Sequence, residues 1–209
     1  VPKYLVNPDG SIGAFNDVTC PGIEHKMGIH GQSTSQLAFG DNGNCVGYLL
    51  GEERQGMKIM FKMMNLARMG TALMGQANAS AAYMHAVTYT KNRIQGADVT
   101  QMLNPDAPGV TIVNHPDVKR MLLWMKSTVE GMRMLAYYLG NCLDIEHRGE
   151  GEEAAKARAV AEFLLPICKA GNTDMALAVG AEAVQVYGGY GYCSDYPVNQ
   201  YLRDAKITQ

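Results

Sequence analysis

A basic excess, metal-ligand spacing and an apolar run of membrane length are all missing from this chain of 209 residues. Lysine and arginine total 18 against 20 aspartate and glutamate, for a net charge of -2. That balance argues against a protein whose affinity comes from neutralising nucleic-acid phosphates. No apolar run approaches the ~20 residues that a helix needs to cross a bilayer, and no secretory signal is visible. The five cysteines, Cys20, Cys45, Cys142, Cys168 and Cys193, are odd in number, scattered and without a Cys-x-x-Cys pair. They read as reduced, mostly buried thiols in a cytoplasmic setting. The five histidines fall in neither Glu-x-x-His nor His-x-x-x-His spacing, so no metal site is expected. Internal repeats and low-complexity tracts are absent as well.

What is present divides by character. Up to about Gly51 the text is strand and turn: Tyr4-Leu5-Val6 runs into the turn Asn7-Pro8-Asp9-Gly10, Glu24 to Ile29 and Ser35 to Phe39 predict short strands, and Asp41-Asn42-Gly43 predicts another turn. So few strands cannot close a sheet, so residues 1–51 are expected to be the incomplete end of a β domain. From Gly56 to about Gln95 the chain is rich in Met, Ala and Leu and free of proline. At ~1.5 Å per residue this helix would exceed ~50 Å and needs partners, which the small side chains Gly70, Ala72, Gly75, Ala79 and Ala82 would let approach closely.

Gln95 to Val113 predicts a long loop, and Pro116 suits the first turn of a second helix carrying Leu122, Met125, Val129, Met132, Leu135 and Ala136 at helical spacing. Arg148-Gly149-Glu150-Gly151 breaks that pattern. A third helix contains Pro166, which should kink or end it, and Asn172 or Thr173 would then cap a further segment reaching Val186. The prediction is a mainly α fold, an antiparallel helix bundle over residues 52–209 preceded by a short β remnant. Its helices lie near 56–94, 117–146 and 152–187, the last divided near 166–172. Both ends fall inside structured text, so a piece of a longer protein is expected.

The segment richest in information is Ala183-Val184-Gln185-Val186-Tyr187-Gly188-Gly189-Tyr190-Gly191-Tyr192, followed by Tyr196-Pro197 and Arg203-Asp204-Ala205-Lys206. A helix ending in two glycines lets backbone come close to something large, although Gly-Gly-x-Gly alone is also what a plain helix cap and tight turn would produce. Arg93, at the end of a long helix, is either a solvated charge against the negative helix terminus or a pyrophosphate contact. Met60, Met63 and Met64 read as core packing or as an adaptable lining for an apolar ligand.

Taken together, these residues resemble the FAD-binding C-terminal signature of the acyl-CoA dehydrogenase family. His25 to His30 with Ser33-Thr34, Leu50-Gly51-Glu52, Asn65-Leu66-Ala67-Arg68 and Arg93-Ile94-Gln95-Gly96 extend the resemblance over nearly the whole chain. The stretch before His115-Pro116-Asp117-Val118 looks most like the 3-methylmercaptopropionyl-CoA dehydrogenase branch. The resemblance implies that Arg93 and Gln95 contact the pyrophosphate and adenosine side of FAD, and that Gln185, Gly188 and Gly189 bind adenosine from a neighbouring subunit. By the same resemblance Asn65 and Arg68 contact acyl-CoA. Where family members place a Gln against FAD, this chain has Pro116, which puts that contact in doubt, and Ala67 excludes one family position for the catalytic Glu. Most members carry their base in an Ile-Tyr-Glu-Gly-Thr segment after Arg-Asp-Ala-Lys; here Ile207-Thr208-Gln209 follows, so no catalytic residue is assigned. The implied function is acyl-CoA dehydrogenation with an electron-transferring flavoprotein as oxidant, in a homodimer or homotetramer. A non-catalytic nucleic-acid-binding or protective relative and a plain helical assembly module are the alternatives.

Overall fold

A computed structural model describes all 209 residues, Val1 to Gln209. The chain forms two compact units, Val1–Met63 and Met64–Gln209.

In the first unit, strands β1 (Tyr4–Val6) and β2 (Ile12–Phe15) pair antiparallel, as do β3 (Val18–Ile23) and β4 (Ser35–Phe39). The predicted turn closes the first pair: Gly10 takes φ +83° and its N–H donates to Asn7 O at 2.9 Å, while the Asp9 carboxylate accepts from Ser11 N at 3.0 Å. Glu24 to Ile29 is not the predicted strand. The ladder partner of β4 is Val18–Ile23, and the Glu24 N–H to Thr34 O bond at 2.8 Å is the last cross-strand link before the chain turns away. His30 Nε2 then donates to Lys26 O at 2.7 Å, closing a local loop in place of a ladder. With strands only in pairs, polar ties do much of the fastening. Buried Asn16 donates to Pro2 O (2.8 Å) and Val46 O (2.9 Å), and buried Asp17 accepts from the Asn42 N–H (2.7 Å) and side-chain amide (2.8 Å).

Four helices follow, the first beginning within the first unit: α1 (Gly56–Asn92), α2 (Pro116–Arg148), α3 (Gly151–Tyr187) and the short α4 (Val198–Lys206). Arg133 of α2 reaches Ser80 of α1, and Arg158 of α3 lies 3.9 Å from Glu146 of α2, so consecutive long helices run antiparallel. Their facing stripes are apolar and mostly small: Ala79, Ala82 and Ala86 from α1, Met125, Val129 and Met132 from α2, and Ala176, Val179 and Ala183 from α3 form one buried cluster. Ala72, Ala136, Leu139, Leu165 and Cys168 form another.

In α3, neither an end at Pro166 nor a cap at Asn172 is found. The helix passes through Pro166 without ending, because that position is exposed, as is Glu162, whose carbonyl loses its partner; water can serve the orphaned group while the apolar face stays packed. Asn172 is not a cap. It is 1% exposed and donates across the bundle to Ala72 O (3.5 Å) and Met132 O (3.4 Å), opposite Gly75, where an added Cβ would stand 3.1 Å from Asn172 O. A third departure lies between α1 and α2. The predicted bare loop contains strands β5 (Ile94–Ala97) and β6 (Gly109–Thr111), paired antiparallel. Pro116 does open α2, as its fixed φ favours.

Helix α3 stops at Tyr187, a tight 3₁₀ turn covers Gly188–Tyr192, and α4 returns against α3 with Val198 and Ala205 fully buried. All five cysteines are free; Cys142 and Cys168 are buried but Cys20 and Cys193 are exposed, so the expectation of mostly buried thiols holds only for the helical pair. No helix is long and apolar enough to cross a membrane. No group of three or more His, Cys, Asp or Glu is placed to hold a metal ion.

Candidate functional site

Where α1 ends, β5 begins and α3 gives way to its glycine turn, these elements surround an open cavity of about 860 Å³, within the size range of small-molecule and cofactor sites. Its lining includes Arg93, Gln95, Gln185, Gly188 and Gly189. Five residues separated by up to ninety-odd positions in sequence thus meet on one wall of one chain.

Each is held by its backbone. The Arg93 N–H donates to Tyr89 O at 2.9 Å, closing the last turn of α1, and its carbonyl accepts from Ile112 N at 2.8 Å. The side chain makes no hydrogen bond or salt bridge within the chain; the guanidinium lies over the Tyr190 ring, whose centroid is 5.4 Å from its carbon. Gln95 is fixed through its carbonyl, which accepts from His115 Nε2 at 2.7 Å, a bond that places the proton on Nε2. Pro116 is absent from the lining, so the doubt about its contact stands, while the ring of His115 takes part instead.

The glycines serve two different purposes. At Gly188 (φ +59°, ψ −140°) and at Gly189 an added Cβ would meet nothing within 4 Å. Backbone conformation at the first, and open approach to the cavity at both, are what a side chain would disturb there. Gly191 is a packing glycine: an added Cβ would collide with Val184 O and stand 3.0 Å from Tyr187 Cβ.

Beneath the turn lies a set of tyrosines. Tyr89 and Tyr187 stack at 3.9 Å with 15° between planes, Tyr196 meets Tyr187 edge-on at 5.7 Å, and Tyr190 lies 5.1 Å from Tyr196. The Tyr187 hydroxyl donates to His85 O at 3.2 Å and the Tyr89 hydroxyl to Tyr187 O at 3.4 Å, tying the end of α3 to α1. Burial pushes both phenols above their ordinary range, with Arg93 opposing the effect at Tyr89. This cluster was not legible beforehand as part of a site. Its signal was the tyrosine content of the 187–196 segment, but the partner Tyr89 lies almost a hundred residues away.

No carboxylate lines the cavity. One guanidinium, two carboxamides, three glycine backbones, the His115 imidazole and tyrosine rings fit an anionic ligand with an aromatic end, as the adenosine diphosphate half of a dinucleotide is. Acid–base chemistry by a carboxylate has no group here. Asn65 and Arg68 do not line this cavity; they lie on α1, where Arg68 Nη1 donates to Asn65 Oδ1 at 3.3 Å, Asn65 exposed and Arg68 half-buried. Near the end of the chain, Arg203 Nη2 donates to Asn199 Oδ1 at 3.1 Å and Asp204 accepts from Gln200 at 3.4 Å.

Residues 54–209 match the family described as Acyl-CoA dehydrogenase, C-terminal domain. A butyryl-CoA dehydrogenase of Syntrophomonas wolfei is 45% identical over 99% of this chain and 34% of its own length. The 3-methylmercaptopropionyl-CoA dehydrogenase of Ruegeria pomeroyi is 39% identical over the same shares. Among solved structures, the butyryl-CoA dehydrogenase of Megasphaera elsdenii superposes with a TM-score of 0.72 at 32% identity, over 92% of this chain and 44% of that one. The chain therefore spans about a third of the length of these curated relatives.

Proposed function

Because this chain belongs to the acyl-CoA dehydrogenase family, we propose that it is the C-terminal part of an FAD-dependent enzyme that desaturates an acyl-CoA thioester between Cα and Cβ, and that its cavity holds the adenosine diphosphate half of FAD. The observation that carries this is the convergence of Arg93, Gln95, Gln185, Gly188 and Gly189 on one carboxylate-free cavity. FAD, when bound, supplies the acceptor for the β hydride.

The chain's own residues bind and orient. Arg93, whose guanidinium is not engaged by any side-chain carboxylate, pairs with the pyrophosphate, where its planar donors match phosphate oxygens. Gln95 and Gln185 supply amides that both donate and accept, suited to ribose and adenine edges. Gly188 and Gly189 leave the backbone open to close approach. Asn65 and Arg68 serve the acyl-CoA side, Asn65 accepting from Arg68 and so setting the guanidinium's direction. With no carboxylate in the cavity, removal of the α proton falls to a residue outside it, and loss of such a general base costs ~10² to 10⁴ in rate.

The oxidant we assign is an electron-transferring flavoprotein, the setting cytoplasmic and the assembly a homodimer or homotetramer. Exposed large apolar side chains on α2 and α3, among them Leu123 (66%), Met134 (72%), Tyr137 (70%) and Phe163 (68%), support the assembly. The test is to purify the full-length enzyme, measure its flavin content, and follow dye-coupled oxidation of butyryl-CoA and 3-methylmercaptopropionyl-CoA. Stoichiometric FAD with turnover of at least one thioester is expected. A flavin-free protein inert on both would contradict the proposal.

A further inference from the structure

We infer that Tyr190, the residue between the glycines of the turn, is a positioning residue: its ring face holds the Arg93 guanidinium at the place where an anionic ligand is met. This rests on the cavity reading given above. Arg93 is anchored through its backbone on both sides, yet its side chain has no hydrogen-bonding partner, and an exposed arginine left that way samples many rotamers. What stands against that freedom is the Tyr190 ring at 5.4 Å.

Tyr190 is in turn braced. It leans on Tyr196 at 5.1 Å, Tyr196 meets both Tyr187 and Tyr89 edge-on, and Tyr187 is buried and hydrogen-bonded to α1. A line of ring contacts therefore runs from the bundle core to the guanidinium. The flanking Gly191, which admits no Cβ, fixes the turn on which Tyr190 sits. A cation over a ring keeps its N–H groups at the edge free to donate, whereas a carboxylate partner would consume them and repel an anion. The arrangement orders Arg93 without neutralising it.

The experiment measures FAD and ADP dissociation constants for the full-length protein and for Tyr190→Phe, Tyr190→Leu, Arg93→Ala and the double variant Tyr190→Leu/Arg93→Ala. Tyr190→Phe keeps the ring face and should bind as the wild type does. Tyr190→Leu should weaken both ligands about two- to fivefold, the size of an exposed cation–ring contact. In the Arg93→Ala background that loss should vanish, because Tyr190 acts through Arg93. Equal additional weakening by Tyr190→Leu with Arg93 absent would overturn the inference alone, showing that Tyr190 meets the ligand directly. Wild-type affinity in Arg93→Ala would overturn the cavity reading and the inference with it. Tyr190 is 44% exposed, and matching thermal melts for all variants would show that binding and not folding is being read.

Discussion

At the scale of single residues, Gly188 and Gly189 leave the cavity open while Gly191 packs the turn, and substitution should separate the two purposes. Gly191→Ala places a methyl against Val184 O and Tyr187 Cβ, so it should cost about 1–3 kcal/mol of stability, seen as a lowered melting temperature. Gly189→Ala points into open space and should melt as the wild type does while weakening FAD binding. Reversed behaviour of the two would mean that the turn is packed differently. The tyrosines make a pH prediction. Burial raises the Tyr89 and Tyr187 phenols above their ordinary value of 10.0, so the folded protein keeps protons that the unfolded chain releases. Their stabilisation is fully present below about pH 10 and is lost as pH rises through the folded values. Urea midpoints should therefore fall on going above about pH 10, and less steeply in Tyr187→Phe; an equal fall in both would assign the effect to other groups.

The elements show where sequence periodicity suffices and where it does not. The three long helices were legible to within a few residues, because apolar spacing and the Gly-rich and Pro-rich breakers are local signals. Pro166 and Asn172 misled for a shared reason: a helix position's meaning depends on which side of the cylinder faces the bundle. Pro166 lies outward, so its missing N–H costs little, while Asn172 lies inward and bridges to α1 and α2. Asn172→Leu should destabilise by roughly 1–3 kcal/mol, since the amide's two bonds are lost and the Ala72 and Met132 carbonyls then face methyl groups that cannot donate. An unchanged melting temperature would show that these two long bonds contribute nothing. Pro166→Ala gains more from removing the ring's crowding of the Glu162 carbonyl than from the restored N–H, and should raise the urea midpoint with unchanged slope. The pairing of β5 with β6 was hidden because each strand is only a few residues long and their register depends on contacts across the intervening loop.

For the whole molecule, a helical bundle after a β-rich segment is legible in the sequence, but the convergence of Arg93, Gln95, Gln185, Gly188 and Gly189 on one cavity is not. Periodicity says which face of α1 is buried; it says nothing of Arg93 meeting the end of α3, which depends on helix length, crossing and the glycine turn together. The tyrosine cluster and His115 entered the site only through that tertiary geometry. The central claim is that this cavity receives the adenosine diphosphate half of FAD, and a crystal structure of the full-length protein with FAD tests it most directly. Pyrophosphate oxygens are expected within hydrogen-bonding distance of the Arg93 guanidinium, with the adenosine against Gln185 and the Gly188-Gly189 backbone. FAD bound elsewhere, with the cavity holding only solvent, would contradict it.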